Sequence, residues 1–521
     1  MRRLRAAALA GRGVRQVAGK VQRSSRKRKE RATPPKGETD QASPCHLFSD
    51  PAEIEAFRRS LLAWYDEYKR DLPWRRLAAS ESDANRRAYA VWVSEIMLQQ
   101  TQVATVIDYY NRWMQKWPTL QELAEATLEE VNELWAGLGY YSRGKRLREG
   151  AGKVMSELAG QMPRTAEELQ RQLPGVGRYT AGALASIAFG QATGVVDGNV
   201  IRVLCRVRCI GADAGSQAVT DQLWDLANTV VDPGRPGDFN QAMMELGATV
   251  CTPRAPLCME CPVKQHCRAH SRVERELGAA ARRLLGAAAS EPPRVPDVEE
   301  CAAASMGSCS LCLPPSESWD SSLGVANYPR KAAKKQPRME RTATCVLERR
   351  GHQGEPEYLL VQRPSSGLLA GLWEFPSLPV GPELEEKQLR AALLGHVRGC
   401  RGKGAAAEGC LQQVGEVVHI FSHIRQTYAV YSLLPEGDVE LGPPASRWVT
   451  RAEFQGSAVS TAMKKILQAY ERWSPAEAAP SKGSKRKRDP WPSSRSPVGT
   501  GSRPSKRQLS LDAFLQVSTG K

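Results

Sequence analysis

The chain has 521 residues, 41% of them apolar, which at about 100–200 residues per domain means two to four domains with real cores and excludes a chain disordered throughout. Lys and Arg number 73 against 56 Asp and Glu, a net charge of +17 that suggests a polyanionic partner, yet the excess sits at the ends: residues 1–30 hold eleven basic groups and one acid, residues 476–521 ten and three. The body between them is neutral, and no run approaches the roughly 18 uninterrupted apolar residues of a membrane-spanning helix.

Residues 1–49 read as a basic, disordered targeting segment. Their first twenty residues are rich in Arg and Ala and free of acids, the composition of a mitochondrial transit peptide. The cluster Arg26–Lys29, and its counterpart Lys485–Arg488, have the character of nuclear-localisation patches, so two compartments, nucleus and mitochondrion, are expected. Residues 31–47 are polar and read as linker. From 50 to 270 the pattern is helical almost throughout, with helix starts at Thr119, Thr127 and Thr165, each followed two or three residues later by Glu. Residues 271–341 form an Ala/Pro/Ser-rich connector with its own cysteines. From 342 to 474 the period changes to β-type runs (ATCVLERR, EYLLVQR, EVVHIFSH, QTYAVYSLL) followed by a helix, a separate α+β domain. Residues 475–521 are a disordered tail. Thirteen cysteines, unevenly clustered and without a secretory leader, do not make a disulfide framework.

In the segment YAVWVSEIMLQQTQV, Glu95 is surrounded by apolar residues. A helix that is apolar all round is buried, and a buried carboxyl is raised toward a pKa at which it serves as a general acid. Gln99 lies one turn on, and Gln100 and Thr101 follow where the helix should end. In LPGVGRYTAGA, Gly175 and Gly177 make a turn into a helix N-terminus whose N–H groups can hold a phosphate. In VVDGNVIRV, Asp197 supplies a second carboxylate. Two carboxyls in different environments are what glycosidic bond cleavage needs: one protonates the leaving group, the other supports the cationic sugar. Cys251, Cys258, Cys261 and Cys267, spaced 6-2-5, would hold either zinc or a [4Fe–4S] cluster.

The set SEIMLQQTQV, LWAGLGYYSR, LPGVGRYTAGA, VVDGNV and the cysteines behind it resembles the helix-hairpin-helix DNA glycosylases, and within them the mammalian adenine DNA glycosylases of the MutY family, densely over 50–270 and more loosely over 342–470. The fold this implies is multidomain: an all-α helix-hairpin-helix glycosylase domain with an iron–sulfur loop, and an α+β Nudix-like C-terminal domain. The resemblance selects the [4Fe–4S] cluster for residues 251–267. It implies that Glu95 protonates adenine N7, that Asp197 supports the sugar cation, and that Tyr179 and Asn199 assist. Arg75 would line the adenine pocket; Gln100, Thr101, Leu138 and Tyr140 would contact or wedge beside 8-oxoguanine. Relatives of the endonuclease III type carry a lysine where this chain has Tyr179, and a phenol cannot form a Schiff base, so a monofunctional enzyme leaving an abasic site is expected. Cys301, Cys309 and Cys312 imply a structural Zn²⁺ in the connector, with Cys205 as the expected fourth ligand.

The strands from 342 resemble a Nudix fold, but no R-E-x2-E-E follows Gly371, so pyrophosphate hydrolysis is not expected. The resemblance assigns 8-oxoguanine reading to Phe421, Ser422 and His423. In the tail, Gln508, Leu511, Phe514 and Leu515 have the spacing of a sliding-clamp box. The expected partners are duplex DNA bearing A:8-oxoguanine mispairs, the sliding clamp and, by resemblance, replication protein A, abasic endonuclease and mismatch-repair factors; no membrane partner is expected. A bifunctional endonuclease III-type glycosylase/lyase, a non-catalytic damage-binding scaffold and a Nudix nucleotide hydrolase are the competing readings. Tyr179, the presence of both Glu95 and Asp197, and the missing metal signature speak against them in turn.

Overall fold

The computed structural model describes residues 44–284 and 309–473, with interruptions of which the longer are 331–335, 401–410 and 434–445. The N-terminal lobe is helical: α1 (Pro51–Tyr68), α2 (Pro73–Ser80), α3 (Ala84–Leu98), α4 (Val103–Lys116), α5 (Leu120–Glu125), α6 (Leu128–Trp135), α7 (Ser142–Glu157), α8 (Ala166–Gln172), α9 (Arg178–Phe189), α10 (Gly198–Val207), α11 (Gln217–Val230), α12 (Pro236–Thr249) and α13 (Arg268–Leu284). The three expected threonine starts are N-caps of α5, α6 and α8; at Thr119 and Thr127 the glutamate three residues on returns the bond in a full capping box.

Every residue of α3 from Ala88 to Met97 is buried, as its unbroken apolar stretch requires, and the helix packs against α9, α2 and α4. Near it the rings of Trp113 and Trp117 meet edge to face at 4.8 Å and those of Trp113 and Trp135 at 5.5 Å, each pair adding about 0.5–1.5 kcal/mol beyond area burial. A second core joins α1 and α10–α12 through Phe57, Leu61, Val203, Leu204, Leu223 and Leu246.

That core begins earlier than the sequence suggested. Pro44–His46 form a 3₁₀ turn, His46 and Phe48 are buried, and the Phe48 ring meets Phe57 at 5.4 Å. The expected boundary at 49 and the linker reading of 31–47 therefore give way at 44: two apolar or semi-polar anchors in a short polar stretch carry too little pattern to be seen. The connector is also pinned. Gly211 N–H donates to the Leu311 carbonyl at 2.9 Å, and a Cβ on Gly211 would lie 2.4 Å from Leu313, so only glycine admits the contact.

The C-terminal lobe is a mixed sheet. Its strands are β1 (Arg338–Arg350), β2 (Pro356–Gln362), β3 (Trp373–Glu374), β4 (Ser377–Val380), β5 (Gln412–Phe421), β6 (Ile424–Leu433) and β7 (Ser446–Thr450), in the order β3-β2-β1-β6-β5, with β4 on β1 and β7 on β2. The long β1–β6 pair is parallel, its neighbours antiparallel. Helix α14 (Glu386–Gly399) buries Leu389, Leu393 and Val397 against this sheet; α15 (Arg451–Gly456) and α16 (Thr461–Arg472) follow β7. The two lobes meet where Glu129 Oε1 accepts from Trp373 Nε1 and Arg447 Nη1, both at 3.1 Å.

Candidate active site

A cavity of about 460 Å³ opens between α3, α9, the start of α10 and α12, lined by Glu95, Gln99–Thr101, Tyr179, Asp197 and Asn199 among others. Three stretches that the sequence singled out thus line one cavity. Glu95 is 6% exposed, and burial pushes its carboxyl up to about 7; the Tyr179 hydroxyl, donating to Glu95 Oε2 at 2.7 Å, pulls it down, while Asp197 adds to the rise. The Tyr179 phenol is itself driven well above its usual value by burial and the neighbouring carboxylates, so it stays a donor.

Asp197 caps α10. Its Oδ1 accepts from the N–H of Asn199 (2.9 Å) and Val200 (2.8 Å), and its Oδ2 from Asn199 Nδ2 (2.9 Å). Burial raises its pKa, and these bonds together with Arg202 work against the rise. Asn199 is held in turn: Arg202 Nη2 donates to its Oδ1 at 2.8 Å, while Arg202 Nε reaches the Cys251 carbonyl at 2.7 Å. The arrangement connects the cysteine loop, through Arg202 and Asn199, to the Asp197 carboxylate.

Arg75 lines the cavity through a network the sequence did not disclose. Its Nη2 donates to Glu245 Oε2 at 2.9 Å and its Nε to Gln241 Oε1 at 3.1 Å. Glu245 is 1% exposed; burial would raise it, but two arginines, Arg70 at 2.6 Å and Arg75, hold it below the ordinary carboxylate range. Met244, from the same helix, places its sulfur 3.1 Å from the Tyr179 hydroxyl. Nothing in QAMMELG marks these residues except an acid among mostly apolar neighbours.

The turn of Gly175 and Gly177 joins α8 to α9. Gly175 has φ +77° and a Cβ there would meet Arg146 at 2.8 Å, so both conformation and space demand glycine; Gly177 is the N-cap of α9 and brings no side-chain acceptor, which leaves the first N–H groups for a phosphate. Leu138 is buried, whereas Tyr140 is 47% exposed at φ +46°. A second cavity of about 590 Å³ lies between Tyr140 with its neighbours and Leu368–Ala370, His419 and Phe421 of the C-terminal lobe. Phe421 thus lines the same cavity as Tyr140. Ser422 and His423 lie outside the described residues, as do Cys301 and the clamp-box residues Gln508, Leu511, Phe514 and Leu515.

Cys251, Cys258, Cys261 and Cys267 line one pocket together with Arg206, whose Nη1 lies 3.3 Å from Cys251 Sγ. Among the described residues, the one group of three or more ligand atoms within 4.8 Å of one another is His46, Cys309 and Cys312. No three of the loop sulfurs make such a group, and four cysteines at this spacing suit an iron–sulfur cluster. Bound there, it would tie the end of α12 to the start of α13. The expected Cys205 is not with the connector cysteines: it is fully buried on the core side of α10, its thiol pushed up to about 12 by burial. His46 takes that place, with Nε2 3.2 Å from Cys312 Sγ and Nδ1 2.8 Å from the Arg208 carbonyl, so the N–H resides on Nδ1 and Nε2 carries the lone pair. A histidine 266 residues away in sequence from Cys312 left no spacing signal.

The comparisons agree with this geometry. Residues 93–229 match the family model of the HhH-GPD superfamily base excision DNA repair proteins, 251–267 the iron-sulfur binding domain of endonuclease III, and 345–469 the NUDIX domain. Fold and site thus define a helix-hairpin-helix base-excision glycosylase with an iron–sulfur loop and a Nudix-like lobe. Over 473 residues the chain is 61% identical to the adenine DNA glycosylase of Homo sapiens, covering 90% of this chain and 82% of that one. The Mus musculus enzyme is 60% identical over 475 residues, covering 91% and 87%. Among solved structures, a thermostable thymine-DNA glycosylase is 28% identical, covering 42% of this chain and 98% of its own, with a TM-score of 0.38. The chain belongs to the adenine DNA glycosylases, hydrolases of base excision repair that act on DNA.

Proposed function

We propose that this glycosylase removes adenine paired with 8-oxoguanine, and with guanine, and that it is monofunctional. The observation that carries the second part is the Tyr179 hydroxyl bonded to Glu95 at 2.7 Å in a cavity with no lysine among its described lining residues, so no amine stands ready to trap the sugar. Adenine leaves the duplex stack at a cost of a few kcal/mol and enters the cavity. The Glu95 proton passes to adenine N7, the C1′–N9 bond breaks with its electron pair going to the base, and the cationic sugar forms against Asp197. Water adds at C1′, its proton returns to the Glu95 carboxylate, and adenine and an abasic site are the products. The opposite-base preference is supported by the second cavity, where Tyr140 stands 47% exposed across from Phe421.

The 6-2-5 cysteines take a [4Fe–4S] cluster in this reading, and His46, Cys309 and Cys312 take a structural zinc, with Cys301 as the candidate to complete it. The tail binds the sliding clamp through Gln508, Leu511, Phe514 and Leu515, the basic clusters address the nucleus, and the Arg/Ala-rich first twenty residues address the mitochondrion. The test is a labelled duplex with one adenine opposite 8-oxoguanine or guanine. Breaks are expected only after alkali, faster opposite 8-oxoguanine, and absent with Glu95→Gln. Breaks without alkali would overturn the monofunctional reading; equal rates would overturn the opposite-base preference.

A further inference from the structure

Between the two cavities lies a side chain that neither touches. Arg143, in the first turn of α7, is 8% exposed, and its guanidinium donates to both walls. On one side Nη1 reaches the carbonyls of Ile96 (2.9 Å), Met97 (3.0 Å) and Gln99, the orphan acceptors at the end of α3, and Nη2 reaches Thr101 Oγ1 at 3.3 Å. On the other side Nη2 reaches the carbonyls of Leu138 (3.2 Å) and Gly139 (3.0 Å), and Nε that of Tyr140 (3.4 Å). The plane also sits 5.4 Å from the ring centroids of both Trp135 and Tyr140.

Helix α3 ends without a glycine: Gln99 is its C-cap, and Gln100 follows at φ +56°. Tyr140 sits at φ +46°. A non-glycine residue in the left-handed region costs on the order of 1–3 kcal/mol and persists only where its surroundings hold it. Both of these residues lie between groups that Arg143 binds. One belongs to the adenine cavity, on the helix that carries Glu95; the other belongs to the cavity shared with the C-terminal lobe.

We propose that Arg143 is the positioning residue that locks the Gln99–Thr101 turn to the Leu138–Tyr140 turn, so that the fit at the opposite base sets the placement of the helix bearing Glu95. The inference rests on the opposite-base reading above. Lysine cannot replace the arginine, because one ammonium offers three donors from a single point where the planar fork spans two walls.

The experiment uses the full-length, cluster-loaded protein and single-turnover cleavage at saturating enzyme, with adenine opposite 8-oxoguanine and opposite guanine. For Arg143→Lys, the ratio of the two rates is expected to fall by about tenfold or more, up to the roughly 10²-fold that an ångström of misplacement costs, with iron content unchanged. A general loss of folded protein would lower both rates together and leave the ratio alone, so an unchanged ratio overturns the proposal. Arg143→Gln, which removes the buried charge and keeps two donors, carries the same test should the lysine variant not fold. A further readout needs no variant: in the wild type, amide exchange at 98–101 and 138–141 should slow together on binding a duplex with an uncleavable adenine analogue opposite 8-oxoguanine. Slowing in one segment alone overturns the coupling. A wild type that cuts both duplexes equally fails the opposite-base reading itself, whereas a wild type with a preference that Arg143→Lys retains fails only the lock.

Discussion

Replacing Glu95 by glutamine should abolish cleavage and yet stabilise the protein, by an amount that depends on pH. The carboxyl titrates near 7 in the folded chain, raised mainly by burial, against 4.5 in its ordinary state. Its folded pKa is the higher of the two, so folding favours the protonated form. Stability is full below about 4.5, falls as the pH rises toward 7, and levels off above it. At about 1.4 kcal/mol per unit, the ionised carboxylate costs the fold roughly 3 kcal/mol at pH 8.5. Glutamine carries no such charge and keeps an acceptor for the Tyr179 hydroxyl. Its advantage should therefore be small near pH 4.5–5 and roughly 3 kcal/mol at pH 8.5, or about 6–12 °C in unfolding temperature for a lobe of this size. Melting both proteins at the two pH values, with iron content matched, measures the difference. The same group should make single-turnover cleavage decline tenfold per unit above about pH 7. A glutamine advantage equal at both pH values, or absent at pH 8.5, would refute the burial argument.

Asp197→Asn should keep the α10 cap, since an asparagine oxygen accepts the same N–H groups, and lose roughly 10²- to 10³-fold in the chemical step; Asp197→Ala should in addition melt earlier by the loss of a cap worth about 1 kcal/mol. Gly247→Ala would put a Cβ 2.6 Å from that of Asn199, pushing α12 off α10; a loss of about 1–3 kcal/mol and of activity, with binding of abasic DNA largely kept, is the expected pattern in melting and footprinting. His46→Ala should lower bound zinc by metal analysis without lowering iron, and Cys205→Ser should leave zinc unchanged. The reverse result would restore the cysteine.

How much of this was readable in the chain depended on range and redundancy. The Glu95 helix, the threonine caps, the glycine turn and the strands after 342 announce themselves because a period or a local rule repeats within a dozen residues. Glu95 and Asp197 are legible because each lies in a compact motif, whereas Tyr179 and Asn199 came only with the family resemblance those motifs carry. The supports were not. Glu245 meets Arg70 and Arg75 across some 170 residues, His46 meets Cys312 across 266, and Arg143 gathers carbonyls that any sequence possesses. A backbone acceptor has no residue type, so the arginine that collects six such bonds looks like any surface arginine of an amphipathic helix.

The same contrast explains why two carboxyls in one cavity take different parts. Burial raises both. Glu95 receives one hydrogen bond, from a phenol, and projects from the middle of an apolar helix. Asp197 sits at a helix N-terminus and receives three, two of them from backbone N–H groups aligned with the helix dipole. Hydrogen bonds of that kind favour the anion, so the proton in the cavity resides preferentially on Glu95 and the charge on Asp197, the division that the proposed mechanism uses. Exchanging the environments, for instance by giving residue 197 a position inside the helix, would remove the division of labour even with both carboxyls retained. The acid and the anion are assigned by where the chain places its backbone, and the residue types alone do not decide between them.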